Sequence, residues 1–239
     1  MGLVDEENEQ AGSRALCRSG LRADLAIVGE PTRLQVVTAH KGSLWLELET
    51  RGKSAHGSRP ELGRNAIHEM ARIVDWFETE YAARLRPRRH KLLGRATVSV
   101  GVIRGGTQPN IVPDHCSISV DRRTLPGETE AGVRREIQLL LRKKLLSARM
   151  SIGRLAQCPP LETNPRLPLV AQFLRVLGQR QPVGVDYFCD ASVLARGGIP
   201  SVVFGPGDIA QAHTTDEWIS LASLEGARAA LLRFLQPLP

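Results

Sequence analysis

Two glutamates stand side by side at Glu6 and Glu7, after the short apolar run Gly2-Leu3-Val4 and Asp5. Adjacent carboxylates can divide labour: one holds a metal ion while the other, left uncoordinated, takes a proton from a metal-bound water. A second apolar run, Asp24–Gly29, also ends on a carboxylate, Glu30, and Pro31 keeps that residue extended. Asp190 and His213 extend the set of donors placed after predicted strands or at helix entries. Oxygen and imidazole ligands of this kind suit zinc, or manganese and cobalt. Each residue also has a plainer reading, with Glu6-Glu7 as a solvated acidic turn and His213 as a surface or capping histidine.

The elements that must position these groups follow from the hydrophobic pattern. Asn8–Cys17 is helix-compatible, so strand, helix and strand over the first thirty residues give the rhythm of a parallel sheet. Gln35–His40 and Ser43–Thr50 read as a half-buried antiparallel pair turning at Lys41-Gly42, with Leu44, Leu46 and Leu48 alternating. Asn65–Tyr81 has apolar residues at helical spacing. Ala96–Ile103 and Cys116–Val120 alternate as strands, and Glu128–Ser147 is a second helix. Arg149–Leu155 is a candidate last strand. The order β-β-α-β-β-α-β predicts an antiparallel sheet with two helices on one side. After Cys158, a helix at Leu167–Gly178, a buried strand at Ser201–Phe204 and a closing helix at Ser220–Leu235 restore the α/β pattern. The domains expected are 1–34 with 157–239, and 35–156 inserted between them.

With 239 residues, 42% hydrophobic and 24% charged, the chain can bury a substantial core. No run approaches the ~20 apolar residues that span a bilayer, and no signal pattern opens the chain, so a cytoplasmic setting is expected. The net charge of +7 raises nucleic acid as a partner. The arginines are scattered and aromatics are 4%, so no basic stripe with stacking rings is present. Cys17, Cys116, Cys158 and Cys189 form no CxxC pair, which speaks for free thiols rather than a structural zinc or a disulfide scaffold.

Seven segments then occur in one order: Val4–Leu16 (VDEENEQAGSRAL), Val28–Thr32 (VGEPT), Gly52–Ile67 (GKSAHGSRPELGRNAI), Gln108–Asp114 (QPNIVPD), Asp121–Glu128 (DRRTLPGE), Cys189–Pro200 (CDASVLARGGIP) and Phe204–Trp218 (FGPGDIAQAHTTDEW). Together they resemble the dinuclear-zinc exopeptidases and deacylases, a family that includes acetylornithine deacetylase, succinyl-diaminopimelate desuccinylase and aminoacylase. The resemblance implies an α/β zinc-exopeptidase-like catalytic domain interrupted by an α+β, ferredoxin-like dimerisation (lid) domain. It implies Glu6 as general base, Glu7 and His213 as ligands of one zinc, and Glu30 as a ligand of the other; cobalt or manganese could replace zinc. His56 would stabilise the oxyanion from the partner subunit of a homodimer, with Asn110 assisting. Arg123 would bind the substrate carboxylate, Arg122 being the alternative if the register shifts by one. Gly205 and Gly207 would border the substrate, an N-acyl amino acid or dipeptide. Gly205-Pro206-Gly207 with Gln211-Ala212-His213 leans towards the acetylornithine deacetylase branch. No nucleic-acid or membrane partner is implied.

The family pattern also has an upstream His-x-Asp strand end and a metal-bridging aspartate, and no His-x-Asp occurs in this sequence. The catalytic domain is therefore expected to be incomplete, with weak metal binding and little hydrolysis by the chain alone. The expected causes are a misplaced start, a split gene or a fragment. The alternative is a non-catalytic dimerisation or binding module derived from that family.

Overall fold

The computed structural model describes residues 1–153 and 158–238. In chain order its elements are α1 (Ala11–Arg18), β1 (Ala26–Val28), β2 (Val37–His40), β3 (Gly42–Arg51), α2 (Ala66–Trp76), α3 (Ala82–Leu85), β4 (Arg89–His90), β5 (Gly94–Arg95), β6 (Thr97–Gly105) and β7 (His115–Thr124). There follow α4 (Glu130–Lys143), β8 (Arg149–Ile152), β9 (Leu161–Glu162), α5 (Pro168–Val176), β10 (Val183–Val185), α6 (Ala191–Arg196), β11 (Ser201–Val203) and α7 (Leu221–Leu235). The chain divides into two compact units: Met1–Gly42 with Lys91–Leu93 and Cys158–Pro239, and Ser43–His90 with Gly94–Gln157.

The first unit is built on a sheet of order β1-β11-β2-β10, with β9 also paired to β2. β1 and β11 run parallel, as do β10 and β2, but β11 meets β2 antiparallel, so the sheet is mixed rather than wholly parallel. Both faces are covered. On one, Phe173 of α5 and Phe234 of α7 pack against Val202 and Phe204, with Phe173 centred 5.0 Å from Phe204 and 4.6 Å from Phe234. On the other, Val37 and Val203 meet Cys189 and Ala191.

Two expectations need correction here. Gly2-Leu3-Val4 is not a strand. Asp5 has φ of 66°, outside the extended region, and its carbonyl and carboxylate accept the Gln10 and Glu9 N–H groups at 2.6 and 3.2 Å. The segment closes a loop before α1 instead. Likewise β2 does not pair with β3. All four of its residues are buried, as in a central strand, and its partners are β10, β11 and β9.

The second unit carries a four-stranded sheet of order β6-β7-β3-β8, which with α2 and α4 gives a β-α-β-β-α-β core. Along β7 every second residue is buried, Cys116, Ile118 and Val120 among them. The buried faces of α2 and α4 supply Met70, Ile73, Val133, Ile137 and Leu141. Asn65 starts α2 by accepting the Ile67 and His68 N–H groups at 2.9 and 3.2 Å, so two otherwise orphaned helix donors are satisfied. The candidate strand Arg149–Leu155 is seen as β8; its last two positions lie outside the described residues. Among the described residues no helix is long and apolar enough to cross a membrane.

Candidate metal and substrate site

The donors of the first unit gather around the end of β1. His213, carried on the loop after β11 with φ of 60°, brings its Nε2 to 2.9 Å from Glu7 Oε1. Sequence positions 206 apart thus meet as a carboxylate–imidazole pair, and both side chains are open to solvent. Glu30 lies within electrostatic reach of Glu6, Glu7 and Asp190. Burial, and then the charges of Glu6, Glu7 and Asp190, push its carboxyl up to about 7. Asp190 opens α6 with its side chain buried, and its Oδ1 has no hydrogen-bond partner. Burial likewise raises the Asp190 pKa.

Gly205 fastens the Glu30 turn to the end of β11. Its carbonyl accepts the Thr32 and Leu34 N–H groups at 3.3 and 3.0 Å, and its own N–H donates to Thr32 Oγ1 at 3.1 Å. A side chain there is excluded, because a Cβ would lie 2.6 Å from the Glu30 carbonyl oxygen. Gly207 donates to Ser223 Oγ at 3.1 Å and accepts the Arg33 N–H at 2.9 Å. The Tyr187 hydroxyl braces the same turn, donating to the Pro31 carbonyl at 3.3 Å, and burial raises its pKa. Nothing in the spacing of Tyr187 marked it in advance.

A divalent cation suits these donors in kind. Burial first, and then the neighbouring negative charges, hold a proton on Glu30 near neutrality, and a cation would offset both. In number they fall short. Glu7 and His213 meet, but among the described residues no three His, Cys, Asp or Glu side chains cluster closely enough to hold a metal. Catalytic zinc usually takes three protein ligands.

In the second unit His56 and Asn110 sit on adjoining loops. The Gly57 N–H donates to the Asn110 carbonyl at 2.7 Å, and His56 bridges to Ile111. The Ser58 N–H points at His56 Nδ1 at 3.2 Å and Ser58 Oγ lies 2.8 Å from the same atom. Nδ1 therefore keeps its lone pair, and the neutral ring carries its proton on Nε2, ready to donate. The His56-x-Ser58 spacing was the available signal for this.

The two neighbouring arginines separate cleanly by strand parity. Arg122 points into the core, fully buried, where it holds Glu128 at 2.5 Å, the Tyr81 hydroxyl at 3.3 Å and the Arg123 carbonyl. Arg123 projects from the other face and pairs with Asp121 at 2.9 Å. The shifted register that would have used Arg122 is thereby set aside.

Residues 38–149 match the family described as the peptidase dimerisation domain. The chain is similar to acetylornithine deacetylase: it is 35% identical to the enzyme of Myxococcus xanthus over 238 residues, which is 96% of this chain and 62% of that protein. Among solved structures it is similar to the aminopeptidase PepT of Bacillus cereus ATCC 10987, with a TM-score of 0.73 and 24% identity, over 97% of this chain and 61% of that one. It is similar also to an M20 family metallo-carboxypeptidase of Sulfolobus solfataricus, with a TM-score of 0.67 and 19% identity, over 94% and 66% of the two chains. The chain thus spans about three fifths of the length of the curated relative it matches.

Proposed function

We propose that this chain supplies most of the active site of a metal-dependent amidohydrolase that removes the acyl group from an N-acyl amino acid or cleaves a dipeptide. The observation that carries the reading is the Glu7–His213 pair beside the proton-holding Glu30. Glu7 and His213 are the ligands of one divalent ion, zinc by the family resemblance, and Glu30 is a ligand of a second. Bound metal would supply Lewis-acid polarisation of the amide carbonyl. Glu6 accepts the proton of the attacking water and later passes it to the leaving amine. His56 donates its Nε2–H to the developing oxyanion, contributed in a homodimer by the partner subunit, and Asn110 assists. A donor of this type is typically worth ~2.7–4 kcal/mol of barrier. Arg123 binds the substrate carboxylate bidentately, and Gly205 and Gly207 border the substrate.

The homodimer reading is supported by the dimerisation-domain match and by the exposed edge strand β6. A cytoplasmic setting is supported by the free cysteines. Because three metal ligands do not meet among the described residues, the chain alone is expected to turn over substrate poorly. A non-catalytic binding module is the second reading, and the same shortage of donors favours it.

A chimera tests the proposal. The segment of the M. xanthus acetylornithine deacetylase that lies outside the match is joined upstream of this chain, and acetate release from N-acetylornithine is measured with zinc. The proposal expects turnover, lost in Glu6→Gln and His56→Ala. A folded, zinc-binding chimera that hydrolyses no N-acyl amino acid contradicts it and favours the module.

A further inference from the structure

Away from the carboxylates, the first unit has a cleft of about 1060 Å³ running along α5. Four cations line it, Lys91, Arg166, Arg175 and Arg180, and no aspartate or glutamate does. They arrive from two separate stretches of chain. Arg166 precedes α5 and Arg175 lies on its exposed face; Arg180 is on the loop towards β10. Lys91 comes from the β4–β5 hairpin, whose Leu92 and Leu93 press so closely on Gly184 that a Cβ there would lie 2.6 Å from Leu93 Cδ2. Tertiary packing thus brings Lys91 to the three arginines spaced along the stretch around α5.

Other arginines of this chain find carboxylates: Arg33 pairs with Asp208, Arg84 and Arg88 with Glu136, Arg122 with Glu128, Arg134 with Glu130 and Arg228 with Glu225. The four cations of the cleft form no ion pair among the described residues. A concave surface of one sign focuses the field and concentrates counter-ions. Pro168 and Pro182 add flat apolar surface, while the lining holds no aromatic ring on which a nucleic-acid strand would stack.

We propose that this cleft binds an organic polyphosphate, a molecule with several phosphate charges on a compact apolar or planar body. The guanidinium groups of Arg175 and Arg180 take phosphate oxygens, where their planar fork matches well. The body lies on the proline surface. A cleft of this volume accommodates such a ligand, since small-molecule sites commonly enclose ~300–1,000 Å³.

The test is calorimetric titration of the full chain with ATP and, separately, with inorganic tripolyphosphate, at about 150 mM salt so that diffuse attraction is screened. Saturable one-to-one binding of ATP is expected, with tripolyphosphate weaker because it lacks the body. The Arg175→Ala/Arg180→Ala variant, with its circular dichroism unchanged, should bind ATP roughly a hundredfold more weakly, about tenfold for each charge-assisted contact. Arg86→Ala/Arg89→Ala removes the same charge outside the cleft and should leave binding intact. Absence of saturable ATP binding overturns the proposal. So does equal affinity for tripolyphosphate, or equal loss in both double variants. If Arg175→Ala/Arg180→Ala fails to fold, Arg166→Gln with Lys91→Gln takes its place under the same criteria.

Discussion

Two titratable side chains of the first unit, Glu30 and His40, oppose each other in their effect on stability. Glu30 holds its proton up to about pH 7 in the fold, against an ordinary value of 4.5. Between those values the native state binds the extra proton, so stability falls as pH rises. His40 is fully buried, and burial lowers its pKa to about 4 from 6.5. Below 6.5 the unfolded chain takes the proton first, so stability falls as pH drops. Each shift corresponds to linkage on the order of 3 kcal/mol, and between about pH 4.5 and 6.5 the two slopes cancel. Urea unfolding of metal-free protein checks this. Glu30→Gln should leave stability falling with decreasing pH below 6.5, and His40→Asn should leave it falling with increasing pH above 4.5. Unchanged slopes in both would refute the assignment. The arginine pair gives a second residue-level prediction. Removing the fully buried Arg122 leaves a gap in the core and takes from the half-buried Glu128 one of its two arginine partners, Arg88 remaining, and should cost about 3 kcal/mol, whereas Arg123→Ala, on the open face, should cost under about 1 kcal/mol. Comparable losses would mean that the parity of β7 is wrong. The sequence distinguished these roles only through alternation, since Asp121, Arg122 and Arg123 are chemically alike in their capacity to form ion pairs.

At the scale of elements, local signals were legible where an element is long and its period complete. α2, α4 and α7 show helical spacing, and β7 alternates over its whole length. Helix starts were legible as chemistry too. Asn65→Ala removes two N–H acceptors at the start of α2 and should lower stability by about 1 kcal/mol, read as a shift in urea midpoint with unchanged slope. No measurable shift would show that the cap is idle. Short elements were legible only where an unbroken apolar run marks them, as in β1 and β11. β10 and β9 have three and two residues, too few to show a period. The partner of β2 was misassigned for a different reason: Lys41-Gly42 looks like a turn, but strand pairing is decided by distant segments, and β10 and β11 lie more than 140 positions later. The donors themselves, Glu7, Glu30 and His213, were recognisable from motifs, while Tyr187 and the orphaned Asp190 oxygen emerge only from the packing around them.

At the scale of the molecule, the proposed site residues are divided between the two units, and the chain spans 62% of the length of the M. xanthus deacetylase to which it is similar. The account therefore predicts metal affinity that is real but modest. In zinc titrations, Glu7→Gln and His213→Ala should each weaken binding at least about tenfold, in line with the loss of one ligand from a small set, and the double variant should bind only a little more weakly than either single one. Indifference of zinc affinity to both substitutions would place the metal elsewhere. Diffraction from crystals grown with zinc, recorded at the zinc absorption edge, addresses the same question with coordinates. The account predicts an anomalous peak against Glu7 and His213 Nε2. A protein saturated with zinc that shows its peaks only at other residues would contradict it.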